Sequence, residues 1–404
     1  MASLDTVANI EDLRLRARKT LPRHLFDFID GAAFREVTRN ANLSALADML
    51  FRQRTLRDVS EVSIATELQG CEASMPLAIA PTGISGILAG GARGEILAAR
   101  AAASAGVPFT LGMMALSSIE DIASEAPAPF YQLCMLRDRS LVEGMVGRAR
   151  AAGCPALILT TTWPYYSQHD RLTNNPAWSM PPRIFSRALL EYASRPRWAL
   201  ETLFGRPVRF RNFDAHHSEP FDIVEIVGQL DASTTWDDVA WLRDIWPGKL
   251  VLKGINEPDD AERAVAVGAD GIVVSNHGGN QLDECSPTIA MLPAVAEAVG
   301  GRIEVLMDGG IRSGQDVLKA MSLGAKGCLI GRAHLYGLAA AGEAGVAKAL
   351  DVIRTQLQIT TGLVGLTDVR DASPAILHGI AGKDVSRPRI RADSVQGPAS
   401  ADFA

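Results

Sequence analysis

Lys253 closes the apolar run Leu250-Val251-Leu252, and His277 stands two residues past the run Ile272-Val273-Val274-Ser275. An ammonium at the end of a buried strand projects into a confined mouth and needs an anionic partner, unless it snorkels out to water. His277 is followed by Gly278-Gly279, which let the backbone turn sharply and a ligand come close. An imidazole there can accept a proton near neutral pH, so a general base is its expected role. Two Gly-rich turns, Asp308-Gly309-Gly310-Ile311-Arg312-Ser313-Gly314 and Gly331-Arg332, each open a helical pattern. Backbone N–H groups at helix starts, with Arg312 and Arg332 beside them, make a phosphate site. Lysine, imidazole and phosphate site together point to a phosphorylated cofactor and a substrate that loses a proton.

Such residues meet only if the intervening elements bring them to one face. Short apolar runs read as strands near Pro76–Ala80, Pro108–Gly112, Phe130–Met135, Ala156–Thr161, Leu250–Gly254, Gly271–Ser275, Glu304–Met307 and Gly327–Ile330. Helical patterns follow most of them, at Gly94–Ala105, Arg139–Ala152, Asp259–Val267, Ile289–Val299, Gly314–Leu323 and Ala333–Leu350. Eight strands alternating with helices predict an α/β protein, a (β/α)8 TIM barrel with its active site at the strand C-terminal ends. A doubly wound sheet is the alternative, but no GxGxxG follows the first strand. The other strand ends carry Pro81-Thr82-Gly83, Gln132 and Thr160-Thr161-Thr162. Residues 1–74 form an N-terminal helical segment packing on the barrel, and residues 75–384 the barrel itself. Residues 163–235, after the fourth strand, are too long for an ordinary loop and read as a lid-like insertion; residues 385–404 read as a loosely held tail.

The 404 residues are 47% hydrophobic and 21% charged, with a net charge of −6, which excludes disorder and gives no electrostatic case for nucleic acid. No apolar stretch is long enough to span a bilayer. Five cysteines form no ligand pattern, so no metal site is expected. With no signal peptide visible, a reduced cytoplasmic setting and a small-molecule substrate are expected.

At these motifs the chain resembles the FMN-dependent α-hydroxy-acid oxidases and dehydrogenases, a family that includes glycolate oxidase, L-lactate dehydrogenase and mandelate dehydrogenase. The likeness runs from Leu21-Pro22 and Phe26 to Gly31 through Ala80-Pro81-Thr82-Gly83, Gln132-Leu133, Lys253-Gly254, Ser275-Asn276-His277-Gly278-Gly279 and Asp308-Gly309-Gly310-Ile311-Arg312 to Gly331-Arg332-Ala333. The resemblance implies that FMN is held by Pro81, Thr82, Gly83, Gln132, Thr160, Lys253, Ser275, Asp308, Gly310, Arg312, Gly331 and Arg332. It gives Lys253 the flavin edge where negative charge develops, and His277 the substrate proton. It further implies a homotetramer or octamer and an electron acceptor that is oxygen, a quinone or another carrier; Gly83 leans toward a dehydrogenase.

The substrate half of the motif departs from the family. Two arginines that grip the carboxylate are replaced: one position holds Asn280, and the other aligns near His169, with Arg171 two residues on. Family tyrosines are replaced by Phe28 and Cys134, and an aspartate that orients the imidazole by Thr162, with Asp170 a candidate substitute. Cys134 is read as pocket lining rather than as a nucleophile. These exchanges predict a C–OH or C–NH substrate that is non-standard, larger than lactate and less dependent on a carboxylate. The Asn-His-Gly-Gly-Asn and Thr-Thr-Thr-Trp runs are also similar to the mycofactocin-biosynthesis branch, whereas Gln132-Leu133 and Phe26–Gly31 look like the L-lactate dehydrogenase branch. An ordinary lactate-like dehydrogenase or oxidase, and a flavin-binding protein with little catalysis in a biosynthetic complex, are the alternatives.

Overall fold

The computed structural model describes residues 3–175, 191–214 and 221–378. Eight parallel strands form one sheet: β1 (Leu77–Ile79), β2 (Thr110–Gly112), β3 (Phe130–Leu133), β4 (Ala156–Thr160), β5 (Lys249–Lys253), β6 (Gly271–Val274), β7 (Glu304–Met307) and β8 (Gly327–Ile330). Neighbours pair in chain order from β2 to β8, β8 pairs with β1, and a parallel bridge between Ile79 and Phe109 closes the ring. This is the expected (β/α)8 barrel.

Successive side chains on a strand face opposite ways, and that period sorts the residues. Leu77, Ile79, Tyr131, Leu157, Leu252, Ile272 and Met307 join the large core beneath the helices. Ala78, Ala80, Phe130, Ile158, Val251, Val273, Leu306 and Leu329 form a separate apolar plug inside the barrel. Leu68 and Ala73, from a hairpin pairing Thr66–Leu68 with Cys71–Ala73, belong to the same plug. Continuing the period by one step puts Gln132, Thr160, Lys253, Ser275 and Asp308 on the inner face as a polar layer above the plug.

Of three N-terminal helices, α1 (Ile10–Thr20) packs on the helix that follows β8, while α2 (Arg23–Asp30) and α3 (Val37–Ala47) reach the barrel mouth. Asn9 and Asp12 cap α1 reciprocally. Asp30, fully buried, accepts from Arg14 Nε at 2.5 Å, Arg171 Nη1 at 2.8 Å and the Tyr336 hydroxyl at 2.8 Å, with Arg39 at 3.4 Å. Burial alone would raise its carboxyl, but these donors outweigh it and hold it well below the usual carboxylate range.

The helix expected over Ala333–Leu350 is instead two, Arg332–Ala341 and Glu343–Leu363, separated at Gly342, whose φ is 63°. Their backbones touch where Gly337 meets Gly345: a Cβ on Gly345 would lie 1.9 Å from the Gly337 carbonyl oxygen. The segment after β4 is described in part. Its described parts include short helices at Asp170–Thr173, Pro196–Leu203, Arg211–Asp214 and Ile223–Gln229. They pack against the barrel through buried Trp198, Phe210, Phe213 and Ile226, and Trp198 Nε1 donates to the Ile87 carbonyl at 2.9 Å. The lid expectation for residues 176–190 and 215–220, and the loose-tail expectation for 385–404, lie outside the described residues. No described helix is long and apolar enough to cross a membrane.

Candidate active site

The polar layer converges on a three-way contact. Lys253 Nζ donates to Ser275 Oγ at 2.9 Å and pairs with Asp308 Oδ2 at 2.8 Å, while Ser275 Oγ donates to Asp308 Oδ1 at 2.6 Å. All three are buried, so Asp308 is the anion that the Lys253 ammonium requires. Ser275 Oγ also accepts the His277 backbone N–H at 3.1 Å, which ties the lysine layer to the imidazole turn. Gln132 Nε2 donates to Thr160 Oγ1 at 3.0 Å alongside.

His277 occupies the left-handed region at φ 56°, followed by Gly278 at 61° and Gly279 at 80°. A non-glycine residue held there is strained, and the neighbours enforce it: a Cβ on Gly279 would lie 2.7 Å from Arg39 N. Asn276 exchanges two 2.9 Å amide hydrogen bonds with Asn42 of α3, and Asn256 brackets the Ser275 backbone at 2.9 and 3.0 Å. Burial, with the Lys253 charge second, pushes the His277 pKa down to about 3, so the imidazole is neutral at physiological pH. The hydroxyl of Thr162 lies 3.5 Å from His277 Nδ1. Thr162 thus stands where the resemblance puts an aspartate, and Asp170, the first residue of a short helix, accepts from Gln168 at 2.9 Å instead of from His277.

A cavity of about 1190 Å³, including the open space at its mouth, lies over this layer. Pro81, Thr82, Gly83, Lys253, His277, Asp308, Gly310, Arg312, Gly331 and Arg332 line it, together with Phe28, His169 and Asn280. Gln132 and Ser275 sit in the layer but do not line it. Thr160, Thr162 and Cys134 line a neighbouring cavity instead, and Trp163 is the wall between the two. Burial pushes the Cys134 thiol up to about 12, away from the thiolate form that reacts. Arg171 is not in the pocket; it pairs with Asp30 at 2.8 Å and with Glu36 at 2.5 Å. Trp163 and Tyr166 line the pocket, as an aromatic site requires, and Met114, Gln281 and Ile223 line it without having been singled out as site residues. Met114 follows the inward parity of Thr110 and Gly112, a signal present in the sequence; Ile223 comes from a distant segment and has none.

A family model described as FMN-dependent dehydrogenase matches residues 17–379. This chain belongs to that family. An L-lactate dehydrogenase of Caulobacter vibrioides (strain NA1000 / CB15N) is 42% identical over 382 residues, covering 92% of this chain and 97% of the relative. One of Xanthomonas axonopodis pv. citri (strain 306) is 40% identical over 400 residues, 96% and 99% of the two chains. The solved structure of a monotopic membrane protein, (S)-mandelate dehydrogenase, superposes with a TM-score of 0.88 at 36% identity, covering 92% of this chain and 99% of that one.

The cofactor that the family uses, FMN, fits the residues present. The Arg312 guanidinium lines the cavity with no carboxylate partner among the described residues, its Nη1 donating only to the Ile311 carbonyl at 2.9 Å, while the Arg312 backbone N–H donates to Asp316 at 3.0 Å. A Cβ on Gly331 would enter open space, which leaves the backbone at that helix start free to meet a phosphate. Gly309 and Gly310, at φ 94° and 89°, turn the β7 loop beside it.

Proposed function

We propose that this protein is an FMN-dependent dehydrogenase of 2-hydroxy acids, with His277 as the base and Lys253 as the cation beside the cofactor. FMN, when bound, supplies the acceptor for the hydride equivalent that the substrate loses. His277 takes the accompanying proton on its neutral imidazole, and the strained turn fixes the direction in which the ring presents it. Lys253, anchored by Ser275 and Asp308, holds positive charge at the barrel mouth. Gly310, Arg312 and Gly331, with the backbone of Arg332, would hold the phosphate.

The observation that carries this reading is the hydrogen-bonded chain from Lys253 through Ser275 to the His277 backbone, which sets ammonium and imidazole over one pocket. The relatives' names support an ordinary hydroxy acid over the non-standard substrate that the lost arginines suggest. Phe28, Trp163 and Tyr166 in the pocket wall support a second reading, in which the acid carries a side chain larger than the methyl of lactate. Anaerobic mixing of the FMN-loaded protein with L-lactate, glycolate and (S)-mandelate tests both. Bleaching by an acid supports dehydrogenase chemistry, and faster bleaching by mandelate than by lactate supports the larger substrate. Retention of colour with all three contradicts the assignment.

A further inference from the structure

One side of the cofactor pocket is walled by two loops, the one after β1 with Thr82, Gly83 and Ile84, and the one after β2 with Met114. Ile84 sits in the left-handed region at φ 62°, a strained conformation for a β-branched residue. The loops meet directly through the Ile84 N–H, which donates to the Met114 carbonyl at 3.0 Å. Behind that contact a single side chain holds both. Glu95, the second residue of the helix Gly94–Ala105, is 1% exposed and has no cation beside it among the described residues. Its Oε1 accepts the Gly86 N–H at 2.6 Å and the Leu116 N–H at 3.2 Å, one from each loop. Ser85 Oγ donates to the same oxygen at 3.4 Å, and Ser117 Oγ contacts Oε2 at 3.2 Å. The fit leaves no spare room, since a Cβ on Gly86 would lie 2.3 Å from Glu95 Oε2. From the other side, fully buried Asn212 grips the same β2 loop: its Oδ1 accepts the Ile119 N–H at 3.1 Å and its Nδ2 donates to the Ser117 carbonyl at 3.2 Å. A carboxylate buried without a cation is costly. The donor pattern suits the neutral acid instead, because both backbone N–H groups converge on Oε1 and leave Oε2 free to carry a proton toward the Ser117 hydroxyl. Burial pushes the Glu95 carboxyl up, in the same direction.

We propose that Glu95 is a positioning residue for the cofactor: as a neutral bridge it sets the spacing of the β1 and β2 loops, and so the shape of the wall that meets FMN. This role concerns cofactor binding and holds whichever substrate is oxidised.

The test measures FMN binding to the full-length apoprotein by flavin fluorescence, with urea unfolding of the apoprotein alongside. Glu95→Gln keeps the reach and the carbonyl oxygen but cannot carry charge, and should bind FMN within about threefold of wild type. Glu95→Asp keeps the acid but is one methylene short of the two N–H groups, and should weaken FMN binding roughly 30-fold, the scale of leaving a buried donor unpaired. Ser117→Ala removes only the contact on Oε2; it should weaken binding about three- to tenfold and keeps the test open if Glu95→Asp fails to fold. Equal losses in Glu95→Gln and Glu95→Asp would mean that a buried negative charge is required, and overturn the neutral bridge. Lowered urea stability with FMN affinity within about twofold of wild type in Glu95→Asp and Ser117→Ala would make the side chain structural only, and overturn the positioning role. Wild-type apoprotein that takes up no FMN would instead defeat the cofactor site itself.

Discussion

The chemistry of this molecule rests on whether the His277 imidazole is free to accept a proton. Its pKa is lowered to about 3, first by burial and then by Lys253, so the reactive neutral form dominates throughout the ordinary range. The acid limb of kcat/KM should therefore be flat from about pH 8 to pH 5 and fall only toward the folded value. A limb centred near the unperturbed histidine value would contradict this placement. His277→Gln should abolish cofactor reduction by about 10³-fold or more while FMN stays bound, as measured by anaerobic stopped flow. Lys253 acts structurally as well: Lys253→Met strands Asp308, buried at 7% exposure, without its cation. That change should cost about 3–5 kcal/mol in urea unfolding. Unchanged stability would mean that the pair is not held together in solution.

At the scale of elements, the β6 turn is braced by α3 through the Asn42–Asn276 amide pair, and Asn42 Oδ1 also accepts the Thr288 N–H at 3.2 Å. Asn42→Ala leaves these buried groups unpaired and should cost about 1–3 kcal/mol, with kcat falling more than FMN affinity as the His277 turn loosens. Gly345→Ala should also destabilise, by about 1–3 kcal/mol or more, because its Cβ would meet a backbone carbonyl that cannot move aside. Both are read by chemical denaturation. The barrel was legible because each strand is an apolar run ending in a polar residue, as in Leu250 to Lys253. The polar layer was legible for the same reason, since parity carries Gln132, Thr160, Lys253, Ser275 and Asp308 inward together. Arg171 was not, because its partners Asp30 and Glu36 lie more than a hundred residues away along the chain. Nor was the break at Gly342, where two long helical patterns join without a proline. Asn280 was recognised as a departure, but its partner Arg332 was visible only once β6 and β8 were set round one mouth.

Over the whole molecule, buried groups set the response to acid. His334 is fully buried with its pKa pushed down to about 4, and burial also lowers His24 and His169. Such histidines bind protons in the unfolded chain before the folded one, so stability is full above the unfolded value near 6.5 and declines as pH falls toward the folded values. Asp30 acts in the same direction further down: its lowered carboxyl contributes stability above the unfolded value near 4, lost as pH falls through the folded one. Thermal unfolding should therefore show Tm dropping between about pH 6.5 and 4. His334→Gln should flatten the upper part of that drop, and a Tm independent of pH across it would contradict the burial of these rings.

The most direct test of the central claim is anaerobic reduction of the FMN-loaded protein by a 2-hydroxy acid, with wild type and His277→Gln compared side by side. The account predicts that both hold the yellow cofactor, that L-lactate or (S)-mandelate bleaches the wild type, and that the variant keeps its colour. Bleaching of the variant at the wild-type rate would contradict it, as would a wild-type protein that binds FMN and is bleached by neither acid.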